Sequence, residues 1–196
     1  MNLFVVRHGI TDWNLQRRAQ GREDIPLNEG GILQAGDCGA RLQGLPIDYM
    51  VSSPLCRAVR TAEIIGGFLG VTDIRTMEAF TEMDFGLVSG ATQEEFHRRR
   101  AEEGNLGIET REAVQERAVA GVRTLYEEYG DANIMLVSHG ALIRNLLRYY
   151  VDESEIPEFF ENCGISWLSF EQDKVGFRLI NALPDRLVDE YKRRYR

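Results

Sequence analysis

Cysteine, histidine and long apolar runs are all scarce in this sequence. Three cysteines, Cys38, Cys56 and Cys163, among 196 residues are an odd number without regular spacing. That argues against a disulfide framework and fits a reducing compartment, the cytoplasm. No apolar stretch reaches the ~20 residues that a bilayer-crossing helix needs. No basic leader followed by an apolar run is present, so the sequence predicts no secretory signal and no membrane partner. Positive charge is also in deficit: 23 Lys and Arg face 31 Asp and Glu, a net charge of −8. A nucleic-acid partner is therefore not expected, because such binders concentrate basic residues on one face; a local basic pocket remains open. Internal repeats, low-complexity segments and linkers are missing as well. What is present is 43% apolar, ordinary for a globular chain, and long enough to bury a full core. We expect a single domain over 1–196.

The apolar segments alternate in kind. Leu3-Phe4-Val5-Val6, Tyr49-Met50-Val51 and Asn133-Ile134-Met135-Leu136-Val137 read as buried strands, with a weaker strand at Asp73-Ile74-Arg75. Between them lie helical patterns: Asn28 to Leu42, capped by Asn28; a helix from Pro54 to about Leu69, with Ser53 as cap and Gly70 as stop; Thr110 to Tyr129; and Ala141 to Tyr150. Trp167-Leu168-Ser169-Phe170 and Phe177-Arg178-Leu179-Ile180 read as a hairpin or two edge strands, and the tail from Pro184 as an amphipathic helix. The polar stretch from about 91 to 110 reads as a short helical excursion. Strands alternating with helices imply an α/β fold with a mostly parallel sheet and helices on both faces.

Two of the three histidines share one local pattern. Leu3 to Val6 runs into Arg7-His8-Gly9, and Ile134 to Val137 runs into Ser138-His139-Gly140. Parallel strands place their carboxyl ends on one rim, where ligands bind in open α/β sheets. If these strands are neighbours, the two imidazoles face one cavity. Arg7 joins them, and Arg57, in the first turn after Ser53-Pro54, reaches the same rim. Helix amino ends favour anions, and guanidinium forks match phosphate oxygens. Two histidines and two arginines on one rim describe a phosphate pocket. Nearby arginines also favour the neutral, nucleophilic state of His8.

The ordered set Arg7-His8-Gly9, Thr11, Trp13-Asn14, Gln20-Gly21, Asp24, Pro26-Leu27, Gly31, Gln34-Ala35, Ser53 to Ala58, Thr61-Ala62-Glu63 and Ser138-His139-Gly140 resembles the histidine phosphatase superfamily, also called phosphoglycerate mutase-like. The resemblance spans nearly the whole chain. It implies a three-layer α/β/α fold and metal-independent phosphomonoester hydrolysis, with no cofactor, on a small phosphorylated metabolite. It further implies that His8 takes the phosphoryl group, that Arg7, Arg57 and His139 hold its oxygens, and that Asn14 adds an amide. Glu82 would be the proton donor, with Asp84 as rival, while Thr11, Gln20 and Gly21 would line the pocket mouth. Two departures, Val88-Ser89-Gly90 and Ile108-Glu109-Thr110, fall on the substrate side and leave the substrate open, with α-ribazole phosphatases among the small relatives.

Plainer readings stand beside these. Arg60 fits an ion pair, and His97 with Arg98, Arg99 and Arg100 fits a solvated helix face with a weaker case for meeting an anionic substrate. Cys56 beside Arg57 could carry a lowered thiol pKa, but the wide glycine-rich cradle of a cysteine phosphatase is missing. Competing functions are a cofactor-dependent phosphoglycerate mutase, a metallohydrolase on His8 and His139, and a non-catalytic phosphate- or partner-binding module. Mutases of the family carry a longer insert where this chain has about 91–110. Monomer and homodimer both remain open.

Overall fold

The computed structural model describes residues 1–102, 104–171 and 174–195. Its centre is a six-stranded sheet of β1 (Asn2–Arg7), β2 (Tyr49–Ser52), β3 (Ile74–Thr76), β4 (Asn133–Ser138), β5 (Ile165–Glu171) and β6 (Lys174–Ala182). The strand order is β3-β2-β4-β1-β5-β6. β3, β2, β4 and β1 run parallel, and β5 and β6 join antiparallel, so the expected hairpin forms, with β5 against β1 and β6 at the edge.

Side chains on a strand alternate between faces, and β1 shows the result. Phe4 and Val6 enter an apolar cluster with Met135, Val137 and Trp167, closed by α2 (Glu29–Arg41), α3 (Cys56–Leu69) and α7 (Pro184–Tyr195). Leu3 and Val5 enter the opposite cluster with Ile134 and Leu136, closed by α5 (Arg111–Tyr129) and α6 (Gly140–Tyr150). β1 and β4 are covered on both sides, which is why they read as continuous apolar runs. This is the three-layer α/β/α arrangement.

Three details depart from the sequence reading. A four-residue helix, α1 (Asp12–Leu15), and three short 3-10 turns carry no periodic signal long enough to read. The helix expected from Pro54, α3, starts at Cys56 after Leu55 instead. Its proposed cap, Ser53, instead turns its hydroxyl to His139 Nε2 at 2.7 Å. The excursion at 91–110 contains α4 (Gln93–Glu102); position 103 within it lies outside the described residues.

Candidate active site

The site begins with strand register. Arg7 pairs with Ser138 across β1 and β4, and the His8 N–H continues the ladder to the Ser138 carbonyl at 2.9 Å. The next residues, His8 and His139, therefore leave the sheet side by side, with ring centroids 5.2 Å apart. The turn that follows His8 packs backbone to backbone on the first turn of α2. A Cβ on Gly31 would sit 2.1 Å from the Ile10 carbonyl oxygen, and one on Gly9 would sit 2.6 Å from that of Gly31. These close approaches account for glycine at both positions. Thr61 of α3 ties the pieces together: its hydroxyl accepts from the Gly9 N–H at 3.1 Å and donates to the Arg57 carbonyl at 2.7 Å.

His8 is buried, and its Nδ1 lies 2.7 Å from its neighbour's carbonyl, Gly9 O. A carbonyl only accepts, so the ring proton belongs on Nδ1 and the lone pair on Nε2. Nε2 makes no hydrogen bond among the described residues, and His8 lines the cavity. Burial, then the charges of Arg57 and Arg7, hold the His8 pKa well below its ordinary value. Burial, then Arg57 and His8, do the same for His139. Both rings are neutral near pH 7. Ser53 Oγ already accepts from the Leu55 N–H at 3.3 Å, so its hydroxyl proton is available to His139 Nε2. Given to Nε2, that proton leaves the His139 ring hydrogen on Nδ1.

Among the described residues, four buried side-chain polar atoms lack a hydrogen-bond partner: Arg7 Nε, Arg57 Nε, His139 Nδ1 and Gln20 Oε1. All four belong to expected site residues. Three are donors around His8. An unmet buried donor costs about 1–3 kcal/mol, a cost that an anion within reach would remove. The guanidiniums are aimed by backbone carbonyls. Fully buried Arg57 donates to Gly21 O at 2.8 Å and Glu23 O at 2.7 Å, and Arg7 donates to Phe160 O.

Glu82 is buried at the amino end of α6. Its Oε1 accepts from the N–H groups of Met83 at 2.8 Å and Leu142 at 2.9 Å; Oε2 accepts from that of Ala141 at 3.2 Å. The residue preceding α6 is His139, whose side chain makes no capping bond, so Glu82 supplies one from another segment. Oε2, with one bond, is the oxygen with room for a proton. Its rival Asp84 is spent within its own loop, accepting from the Gly86 N–H at 2.7 Å.

The remaining candidates sort clearly. Asn14, Gln20 and Gly21 line the cavity of about 940 Å³. Thr11, expected at its mouth, is buried instead as the cap of α1, in a reciprocal pair with Asn14. Asn14 Oδ1 accepts from the Thr11 N–H at 3.1 Å, which leaves the Asn14 NH2 group as its donor to the cavity. His139 is fully buried beside His8, and its ring is not part of the cavity lining. Cys56 corrects the sequence reading: burial and the hydrogen bond to Asp24 push its thiol pKa up to about 11. Arg60 pairs with Glu63 at 2.9 Å on the surface. His97 and Arg100 of α4 line the cavity, whereas Arg98 pairs with Glu102 at 2.8 Å and Arg99 donates to the Leu87 carbonyl at 2.8 Å. Among the described residues no three His, Cys, Asp or Glu side chains lie close enough to share a metal ion.

The site also uses residues that sequence reasoning passed over. Ser53 orients His139. Asn162 Nδ2 donates to the His8 carbonyl at 2.8 Å. Arg117 and Glu109 bind the segment that carries Glu82. Arg144, one helical turn beyond Gly140 on α6, lines the cavity wall with Arg111 and Arg148. Ser53 had a sequence signal, the Ser-Pro pair read as a cap, and Glu109 fell in a departure read as substrate-side; the others are brought in by the tertiary fold.

Comparison with known proteins agrees with this fold. The sequence profile of the histidine phosphatase superfamily (branch 1) matches residues 3–183. An uncharacterized phosphatase, PhoE, of Bacillus subtilis (strain 168) is 40% identical over 143 residues, 73% of this chain and 74% of that protein. A probable phosphoglycerate mutase, GpmB, of Salmonella paratyphi A is 32% identical over 191 residues, 89% of this chain and 87% of that one. Among solved structures, mycobacterial glucosyl-3-phosphoglycerate phosphatase in complex with VO3 superposes with a TM-score of 0.84 at 26% identity, over 92% of this chain and 98% of the other. The match runs unbroken from the first strand to the threshold of the last helix, and it contains both strand-end histidines; this chain belongs to the histidine phosphatase superfamily.

Proposed function

We propose that this protein hydrolyses phosphate monoesters of small metabolites through a phosphohistidine on His8. The observation that carries the reading is the trio of unpartnered donors, Arg7 Nε, Arg57 Nε and His139 Nδ1, around a neutral imidazole whose free nitrogen is Nε2. The phosphoryl group sits among these donors and the Asn14 amide. Nε2 attacks phosphorus as the ester P–O bond breaks, and Glu82 gives its proton to the leaving oxygen. Water then attacks the phosphorus, Glu82 takes a proton from it, and the P–N bond breaks to release phosphate. The arginines stabilise charge that spreads over the phosphoryl oxygens. Splitting the reaction in this way replaces one difficult step with two easier ones. Gln20 and Gly21 shape the mouth, and 91–110 forms a short excursion over the site within one domain.

The experiment is to quench the enzyme during turnover and locate the phosphoryl group by mass spectrometry. We expect it on His8; an adduct on another side chain would overturn the reading. A mutase has a specific observation in its favour, the similarity to GpmB. Hydrolysis is preferred because 91–110 is short beside the inserts of mutases. Interconversion of 3- and 2-phosphoglycerate faster than phosphate release would reverse that preference.

The histidine shifts set a pH expectation. With folded pKa values depressed, His8 and His139 remain neutral below 6.5 while unfolded histidines take protons. The unfolded chain thus binds more protons in that window, and stability is lost there as the pH is lowered. Thermal melts should show full stability above about 6.5 and a progressive loss below it. The acid limb of kcat/KM due to His8 should lie below the same value; a limb centred on 6.5 would contradict a buried neutral nucleophile.

The cavity wall bears on the substrate. Arg144 donates to the Pro157 carbonyl at 3.2 Å, and burial and the charges of Arg148 and Arg111 lower its pKa. Along a helix, one turn is about 5.4 Å, so Arg144 stands roughly that far up the wall from Gly140. Arg144→Gln should raise KM for esters with a second anionic group about 10-fold and leave singly phosphorylated neutral alcohols unaffected. An equal change in both classes would remove Arg144 from substrate choice. Three free cysteines support a reducing, cytoplasmic setting.

A further inference from the structure

We infer that Arg117 and Glu109 are positioning residues that hold Glu82 in place for proton transfer. The inference rests on Glu82 being the proton donor. Arg117 stands inside α5, and Glu109 precedes the Thr110 cap of that helix. The guanidinium spends all five of its N–H groups here. Nε and Nη2 grip Glu109 at 2.8 and 3.1 Å; Nη1 donates to the carbonyls of Ala79 at 3.0 Å and Thr81 at 2.6 Å; Nη2 also donates to the carbonyl of Glu82 itself at 3.1 Å. Glu109 Oε2 completes the clamp by accepting from the Asp84 N–H at 3.0 Å. The backbone on both sides of Glu82 is thus fastened to α5, while its carboxylate is fastened to α6.

The segment so held has little regular structure of its own, only the 3-10 turns Glu78–Phe80 and Gly86–Val88 at its ends. Loop backbone between such turns is normally free to drift. A bidentate arginine–carboxylate pair is the geometry best able to stop it, since direction as well as distance is fixed. Glu109 and Arg117 are 13% and 20% exposed at the side chain, so water competes little for these bonds. Proton donation requires hydrogen-bond reach to the leaving oxygen, and a displacement of about 1 Å can cost roughly 100-fold.

The test separates positioning from mere stability through the leaving group. The readout is kcat/KM, which reports formation of phospho-His8. It is measured with an aryl phosphate, whose leaving group departs without a proton, and with an alkyl phosphate, whose leaving group requires one. Arg117→Met and Glu109→Gln should lower the alkyl value about 10–100-fold and the aryl value by less than about threefold. Arg117→Lys, which keeps charge but not the planar fork, should fall between. In a Glu82→Gln background the same substitutions should leave the alkyl-to-aryl ratio unchanged, because the group they position is gone. Should Arg117→Met fail to fold, Glu109→Gln carries the test, since it preserves shape and an acceptor oxygen. Equal losses on both substrates, or a ratio that still drops in the Glu82→Gln background, would overturn the positioning role. Glu82→Gln alone with an unchanged ratio would instead remove Glu82 as the acid, and the inference with it.

Discussion

His8→Ala should abolish phosphate release and, with it, any covalent phosphoenzyme. Loss of a nucleophile from a built site costs on the order of 10⁶-fold in kcat, because the remaining groups stabilise a transition state that no longer has an attacking atom. The fold should survive this change. The backbone bonds of residue 8, from its N–H to Ser138 O and from Asn162 to its carbonyl, do not involve the imidazole. Arg7 Nε, Arg57 Nε and His139 Nδ1 remain, so the variant should still bind inorganic phosphate. The measurement is paired: turnover and phosphoenzyme trapping on one side, phosphate binding by calorimetry on the other. Turnover within about 100-fold of the parent protein would point to a different nucleophile.

Arg57 should give the second large effect, on activity and stability together. Its guanidinium is fully buried and bonds two loop carbonyls, Gly21 at 2.8 Å and Glu23 at 2.7 Å. Arg57→Ala strands both acceptors at about 1–3 kcal/mol each and removes one arm of the oxyanion clamp, worth about 10²–10³-fold in kcat. For a chain of this size the melting temperature should fall on the order of 10 °C. Arg57→Lys separates the contributions. An ammonium retains charge but cannot bond two carbonyls and an oxyanion in one plane, so kcat/KM should stay depressed. A lysine variant within a few-fold of the parent would show that charge alone suffices.

The elements that could be read from sequence are those whose signal is local. β1 and β4 announced themselves as apolar runs because helices cover both of their faces, and the His-Gly pairs at their ends were visible for the same reason. Asn28, Thr110 and Gly70 act at helix ends as read. What was hidden depends on contacts between distant segments. Arg117 sits on a helix face like any solvated arginine until the 79–84 segment is laid across it. Asn162 is one polar loop residue among several. Thr11 was read outward because cap and pocket residues share the same chemistry. Cys56 shows the opposite error: a nearby arginine suggested a lowered thiol pKa, but burial and Asp24 outweigh it.

The in-register pairing of β1 with β4 has a consequence for how such a protein can change. Inserting or deleting a single residue within either strand would send its histidine to the wrong layer, since successive residues face opposite ways. The connections between the strands face no such constraint: whatever lies between the two ends, the rings still emerge together. Provided that Glu109 keeps its bonds to Arg117 and the Asp84 N–H, the wall contributed by the rest of 91–110 can therefore be lengthened, shortened or exchanged without disturbing the reacting atoms. Segments grafted there from other members should bring their substrate preference along, on a reaction centre that does not need rebuilding.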